Sequence, residues 1–181
     1  MTLSLSVPTA ASWRTARLVT SCSGTCSPEG PFRTLITDLS PYANIHHIYL
    51  TFSPDGLWLA AGGYERDIKV FKTDTWQLSK TLSGHKDEIN AVVFSLDGRF
   101  LASGGDDHTV RLWEFPSGKL LKTFEGHAGF VRSVSFSADG QRIASSGHDN
   151  VIKIWSTSSE PSLIRTISTD IPNGVTHVEV L

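Results

Sequence analysis

The chain has 181 residues, 39% hydrophobic and 19% charged, with 16 lysines and arginines against 18 acids and a net charge of −2. That is enough chain for one domain with a sizeable core, and the absence of any block of like charge argues against nucleic acid as a partner held by bulk electrostatics. No apolar run approaches the ~20 residues of a bilayer span, so no membrane partner is expected, and the two cysteines, Cys22 and Cys26, supply neither a disulfide framework nor the four ligands of a zinc site.

Residues 1–14 carry no consistent period and are expected to be irregular. Residues 1–28 hold Arg14, Arg17, many Ser and Thr and no acid. That composition weakly resembles a transit peptide but lacks the apolar stretch of a secretory signal. Within 15–43, Thr15–Gly24 lines up with Thr109–Gly118, and Phe32–Leu35 with Leu121–Phe124. We read 15–43 as a decayed half of the unit that follows. With so few cysteines a reducing compartment is the default, and a cytoplasmic location is expected.

From residue 44 the sequence repeats itself. Phe52, Phe94 and Phe136 stand 42 residues apart, as do Asp55, Asp97 and Asp139, and Phe71, Trp113 and Trp155. Self-similarity at a fixed period of this size marks a repeat architecture. The units run over 44–83, 84–125 and 126–168, and 169–181 begins a further one. Each reads as four short strands. The first alternates at period 2, as in Ala91–Phe94 and Ser133–Phe136. A Ser-x-Asp-Gly turn follows at Ser53–Gly56, Ser95–Gly98 and Ser137–Gly140, where glycine supplies the positive φ of a tight hairpin. The second strand (58–62, 100–104, 142–146) is rich in small residues suited to close sheet contact. In the third (68–71, 110–113, 152–155), Lys69, Arg111 and Lys153 alternate with aliphatic neighbours and are expected to point outward. The fourth lies near 78–82, 120–124 and 163–167. Strands this short and evenly punctuated suit all-β architecture with four strands per unit. Val175–Val180 alternates like another first strand, which would pair with Thr15–Ser21 or Phe32–Ile36 to build a composite unit.

Gly84-His85, Leu101–Gly105 and Asp107–Trp113, followed by Gly126-His127, Ile143–Gly147 and Asp149–Trp155, resemble blades of the WD-repeat (WD40-type) β-propeller family. The resemblance covers about 44–168 and implies a partial propeller ring, with three full four-stranded blades plus incomplete terminal blades. It also implies a structural tetrad at His85, Ser103, Asp107 and Trp113, and again at His127, Ser145, Asp149 and Trp155. The chemistry suits those positions. A buried indole N–H can only donate, a hydroxyl and an imidazole can each donate and accept, and a carboxylate can only accept. Ser, His and Asp together also suggest a hydrolase triad. The set occurs twice at one period, however, and no Gly-x-Ser-x-Gly elbow accompanies it. The first unit departs from the pattern, with Ala43, Ala61, Glu65 and Phe71 at the four positions. Glu65 has no evident partner, so this blade is expected to be held mainly by packing.

In this family partners dock on the face that carries the entry loops of the first strands and the turns between the second and third. By resemblance the variable positions there are His46, Ile48 and Tyr64, then Glu88, Asn90 and Asp106, then Phe130, Arg132 and His148. Tyr and Arg are enriched in binding hot spots. His46 and His47, adjacent in a strand, point to opposite faces and make a poor metal site. No metal, cofactor or catalytic residue is expected. The resemblance points to a non-catalytic scaffold or adaptor for other proteins or peptides. The alternative is a regulatory fragment of a larger protein whose catalytic domain lies outside this chain. A seven-blade ring at this period needs about 294 residues, so two copies, each with three and a half blades, would close a ring as a homodimer.

Overall fold

The computed structural model describes residues 16–18, 48–158, 160–171 and 174–179. Among the described residues thirteen strands make three antiparallel sheets. The first holds β1 (Ala16–Leu18), β2 (Ile48–Phe52), β3 (Trp58–Gly63), β4 (Asp67–Lys72) and β5 (Leu78–Ser83). The second holds β6 (Ile89–Phe94), β7 (Phe100–Gly105), β8 (Val110–Glu114) and β9 (Leu120–Phe124). The third holds β10 (Val131–Phe136), β11 (Arg142–Gly147), β12 (Val151–Ser156) and β13 (Leu163–Ser168). In each sheet the strands pair in chain order, the meander expected of a propeller blade.

One turn is written three times. Between β2 and β3, β6 and β7, and β10 and β11, a Ser hydroxyl donates to the Asp two residues on, and the same Asp oxygen accepts the N–H of Leu57, Arg99 or Gln141. The Gly that follows the Asp takes φ of 71°, 69° and 68° in turn. These Asx-type bonds are local to the hairpin and need no tertiary contact.

The sheets stack face to face like pages, with β6 against β2 and β3, and β10 against β6 and β7. Each junction is a separate core. Ile68, Val70 and Leu82 of the first sheet meet Ile89, Val92, Leu101 and Trp113 of the second. Val110, Leu112 and Phe124 of the second meet Val131, Val134, Ile143 and Trp155 of the third. Glycine sets the spacing. A Cβ on Gly62 would stand 2.7 Å from Val92 Cγ2, and one on Gly104 2.5 Å from Val131 Cγ1, so any side chain there pushes the next blade away.

Several expectations change. Arg111 and Lys153 are buried rather than outward. Arg111 Nη2 lies 3.6 Å from Asp107 Oδ2, and Lys153 Nζ donates to Thr166 Oγ1 at 3.1 Å. Along β8 both faces are packed, so alternation separates two interfaces; along β12 Lys153 and Trp155 take the face packed on the second sheet, and Ile152 and Ile154 take the half-buried open one. Glu65 does have a partner, Lys69 Nζ at 2.6 Å. Ala16–Leu18 pairs with β2, Ala16 opposite Leu50 and Leu18 opposite Ile48, and not with the C-terminal segment; residues 19–47, including Phe32–Ile36, lie outside the described residues. Residues 174–179 form no ladder. They dock on the third sheet where a next blade's first strand would start, through Val175 N–H to Gly147 O at 3.1 Å and Val178 N–H to Ser133 Oγ at 3.1 Å.

Candidate functional site

The two sets of four linked side chains are hydrogen-bonded in one order. Trp113 Nε1 donates to Ser103 Oγ at 3.0 Å, Ser103 Oγ meets His85 Nε2 at 2.8 Å, and His85 Nδ1 meets Asp107 Oδ2 at 2.9 Å. In the third blade the corresponding distances are 2.8, 2.8 and 2.7 Å through Trp155, Ser145, His127 and Asp149. A carboxylate only accepts, so each Nδ1–H donates to it, and with a neutral imidazole each hydroxyl, which accepts the indole N–H, donates to Nε2. The carboxylate also accepts the backbone N–H after the His, from Lys86 or Ala128, at 2.9 Å. The network thus ties the loop before the first strand to the turn after the second and to the third strand.

Ser–His–Asp connectivity of this kind also defines a hydrolase triad, but Ser103 and Ser145 are each 0% exposed. Each hydroxyl oxygen is already occupied by an indole N–H. No acyl group can reach it, and its acceptor capacity goes to holding the tryptophan.

The two networks are not equal. Burial pushes the Asp107 carboxyl up, but bonds from His85, the Lys86 N–H and Thr109 outweigh it and hold the group well below the usual carboxylate range. Burial holds His127 below its ordinary value, against the opposing pull of Asp149. Thr109 N–H and Oγ1 both donate to Asp107 Oδ1, at 3.1 and 2.8 Å. The equivalent residue of the third blade is Val151, and Asp149 Oδ1 is buried without a partner among the described residues. Val151→Thr is expected to supply the missing donor and stabilise the chain by about 0.5–1.5 kcal/mol. A thermal denaturation curve checks this, and an unchanged or lower midpoint would count against it.

At the end of the sheets where β6 and β10 begin, the variable positions come together. β6 and β10 each carry a bulge, at Asn90 and at Arg132, where two residues face one on the partner strand. Such bulges re-aim side chains out of the ladder. Arg132 Nη1 donates to Asn90 Oδ1 at 2.8 Å across the blade junction, and its Nε donates to His148 Nε2 at 3.1 Å. Asn90 Nδ2 donates to Asp106 Oδ1 and to Val131 O, and Arg132 Nη1 lies 3.4 Å from Asp106 Oδ1. The Arg132 guanidinium sits 5.2 Å from the Phe130 ring, which is flanked by His148 at 5.7 Å and His108 at 5.5 Å. Phe130 is 37% exposed. Asn90 itself is buried, at 3% exposure, and acts as the anchor beneath a pre-set aromatic and polar surface spanning two blades.

Glu88 is half-buried beside this cluster and contributes its carbonyl, which accepts Asp106 N–H at 2.8 Å. Tyr64 stands exposed at the corresponding turn of the first blade. Ile48 opens β2, and His46 and His47 lie outside the described residues. His108 was missed in the sequence. The signal was its position: with Arg66 and Asn150 it holds a positive φ in the same turn of each blade, 64° at His108, which presents its ring beside the next blade.

The profile described as WD domain, G-beta repeat, matches residues 14–72, 76–114 and 118–156. The second and third matches begin just ahead of β5 and β9 and end with β8 and β12. One sequence repeat therefore supplies the outer strand of one blade and three strands of the next, which laces neighbouring blades together. Among solved structures the chain is similar to one described as "Structure of U3-55K" and one described as "Crystal structure of RRP9 WD40 repeats". Each shows a TM-score of 0.68 and 23% identity, over 72% of this chain and 41% of that one. The chain thus spans about two fifths of the length of those structures. No curated protein matches it.

Proposed function

Because the chain belongs to the WD domain, G-beta repeat family, whose domains generally serve as protein-interaction scaffolds, we propose that it is a non-catalytic adaptor that presents the Asp106–Phe130–Arg132–His148 surface, held from beneath by Asn90, to a protein or peptide partner. The observation that carries this reading is the bond from Arg132 to Asn90 across the blade junction, with Phe130 exposed beside it. Arginine stacked on a rigid aromatic ring is the composition of an interface anchor. Two bulges hold it in place before a partner arrives, which lowers the ordering cost of binding. The double variant Phe130→Ala/Arg132→Glu tests it. Proximity labelling in cells should lose its specific partners relative to the wild type while far-ultraviolet circular dichroism stays the same. An unchanged set of labelled proteins would refute the assignment.

A second reading rests on the open face of the third blade. Val110, Leu112 and Phe124 are sealed by the next sheet, whereas their counterparts Ile152 and Ile154 are only half-buried and Ile167 is 40% exposed. A further blade covers such a face, supplied either by a second copy in a homodimer or by a larger protein of which this chain is a regulatory part. Light scattering of the purified chain separates the two: the homodimer requires twice the monomer mass, and a monodisperse monomer removes it.

A further inference from the structure

The three blades share one position at the end of their third strands, and the middle blade breaks it. Thr73 Oγ1 donates to Gly56 O and Thr157 Oγ1 to Gly140 O, each at 2.7 Å. The residue between them in the repeat is Phe115, which gives up that bond and instead inserts between blades. It meets Trp58 edge-on at 5.6 Å and Phe94 at 5.0 Å. Beside it runs a groove of about 620 Å³ whose floor is Trp58, Phe100, Phe115 and Pro116. The strand registers place this groove at the opposite end of the sheets from Asn90 and Arg132, since Phe100 opens β7 and Asp106 follows its last residue.

Its rim is cationic. Lys80 and Arg99 line it, Lys72 Nζ lies 6.0 Å from the Trp58 ring, and the Arg99 guanidinium lies 5.3 Å from the Phe100 ring. Against these three cations stand two nearby acids. Glu114 accepts Ser117 Oγ at 2.6 Å, and Asp97 accepts Ser95 Oγ and the Arg99 N–H and lies 3.9 Å from the Arg99 guanidinium. In a chain of net charge −2 this is a local surplus of positive charge over an aromatic floor. Lys80 also belongs to β5, which ends its sheet among the described residues and so offers an edge for main-chain hydrogen bonds.

We propose that this groove is a second docking surface, for an extended acidic peptide that places a proline or aliphatic side chain on the Trp58–Phe115 floor and its carboxylates on Lys80 and Arg99. A single-stranded nucleic acid fits less well. Stacking of successive bases needs several open ring faces, whereas Phe115 is only 7% exposed and lies edge-on between Trp58 and Phe94.

The test is selection of a phage-displayed random dodecapeptide library on the full chain, followed by fluorescence anisotropy of the winners on three proteins: wild type, Lys80→Glu/Arg99→Glu, and Arg132→Ala. The expected result is a family of acidic peptides with a shared proline or aliphatic residue. Their Kd should weaken at least tenfold in the double variant and stay within twofold in Arg132→Ala, which also keeps this outcome distinct from that of the proposed partner face. Three results would overturn the proposal: no enriched family, equal binding to the double variant, or loss of binding in Arg132→Ala. A ten-residue oligouridylate that binds the wild type and not the double variant would reassign the groove to RNA.

Discussion

Asp107→Ala is expected to destabilise the chain by roughly 1–3 kcal/mol, and Glu65→Ala by under about 1 kcal/mol. The two residues occupy the same place in the repeat but not the same chemistry. Asp107 receives His85 Nδ1–H, the Lys86 N–H, and both the N–H and hydroxyl of Thr109. Its removal leaves these donors unpaired in a site where the His85 side chain is fully buried. Glu65 meets a single lysine, Lys69, and is itself partly open to water. Pairs of that kind contribute little. Urea denaturation of both variants checks the difference, and equal midpoint shifts would mean that the network does not hold the blade. The effect also has a pH signature. The folded-state pKa of Asp107 is depressed, so the unfolded chain binds the proton more readily. The contribution is fully present above the ordinary carboxylate value of about 3.9 and is lost as pH falls through the lower folded value. The difference between wild type and Asp107→Ala should therefore shrink in strong acid.

The repeat made the blades legible because every local rule agreed: alternation, Asp-Gly turns, small residues on the second strand and a fixed period. That Trp, Ser, His and Asp can satisfy one another was legible too, from their donors and acceptors, while the order of the links is set by the fold. Burial on the third strand was not. Arg111 and Lys153 look solvent-facing by alternation, but each shares its face with a buried Trp packed on the preceding blade, and period 2 cannot tell an interface from solvent. The Lys69 partner of Glu65 was hidden for a related reason: the reach of a lysine across a turn depends on how the turn folds, not on the spacing. The partner-face positions came from resemblance alone, and what gathers them is the pair of bulges at Asn90 and Arg132, which only the strand registers reveal. The groove at Phe115 was visible in principle, because Thr73 and Thr157 flag Phe115 as the departure.

Trp155→Ala is expected to have the largest effect, about 3–5 kcal/mol, the usual cost of emptying a buried Trp site. Trp155 is 2% exposed, lies 5.0 Å from Phe124 across the blade junction, and belongs to the same apolar cluster as Val110, Val131 and Ile143. Two terms add in this substitution, a cavity between the second and third blades and a Ser145 hydroxyl left with His127 as its one remaining partner. A double-mutant cycle separates them. Trp155→Phe keeps most of the packing and removes the donor, as in the first blade, where Phe71 faces Ala61 in place of a serine. If the indole bond matters, Ser145→Ala should cost less in the Trp155→Phe background than in the wild type, with a coupling of about 0.5–3 kcal/mol, as expected for residues sharing one network. Strict additivity would show that Trp155 acts through volume alone. Because neighbouring blades stabilise one another across such junctions, the loss should appear as an early transition of the third blade before the first two sheets melt. Hydrogen exchange of the β11 and β12 amides, compared with those of β3 and β4, reads that order directly.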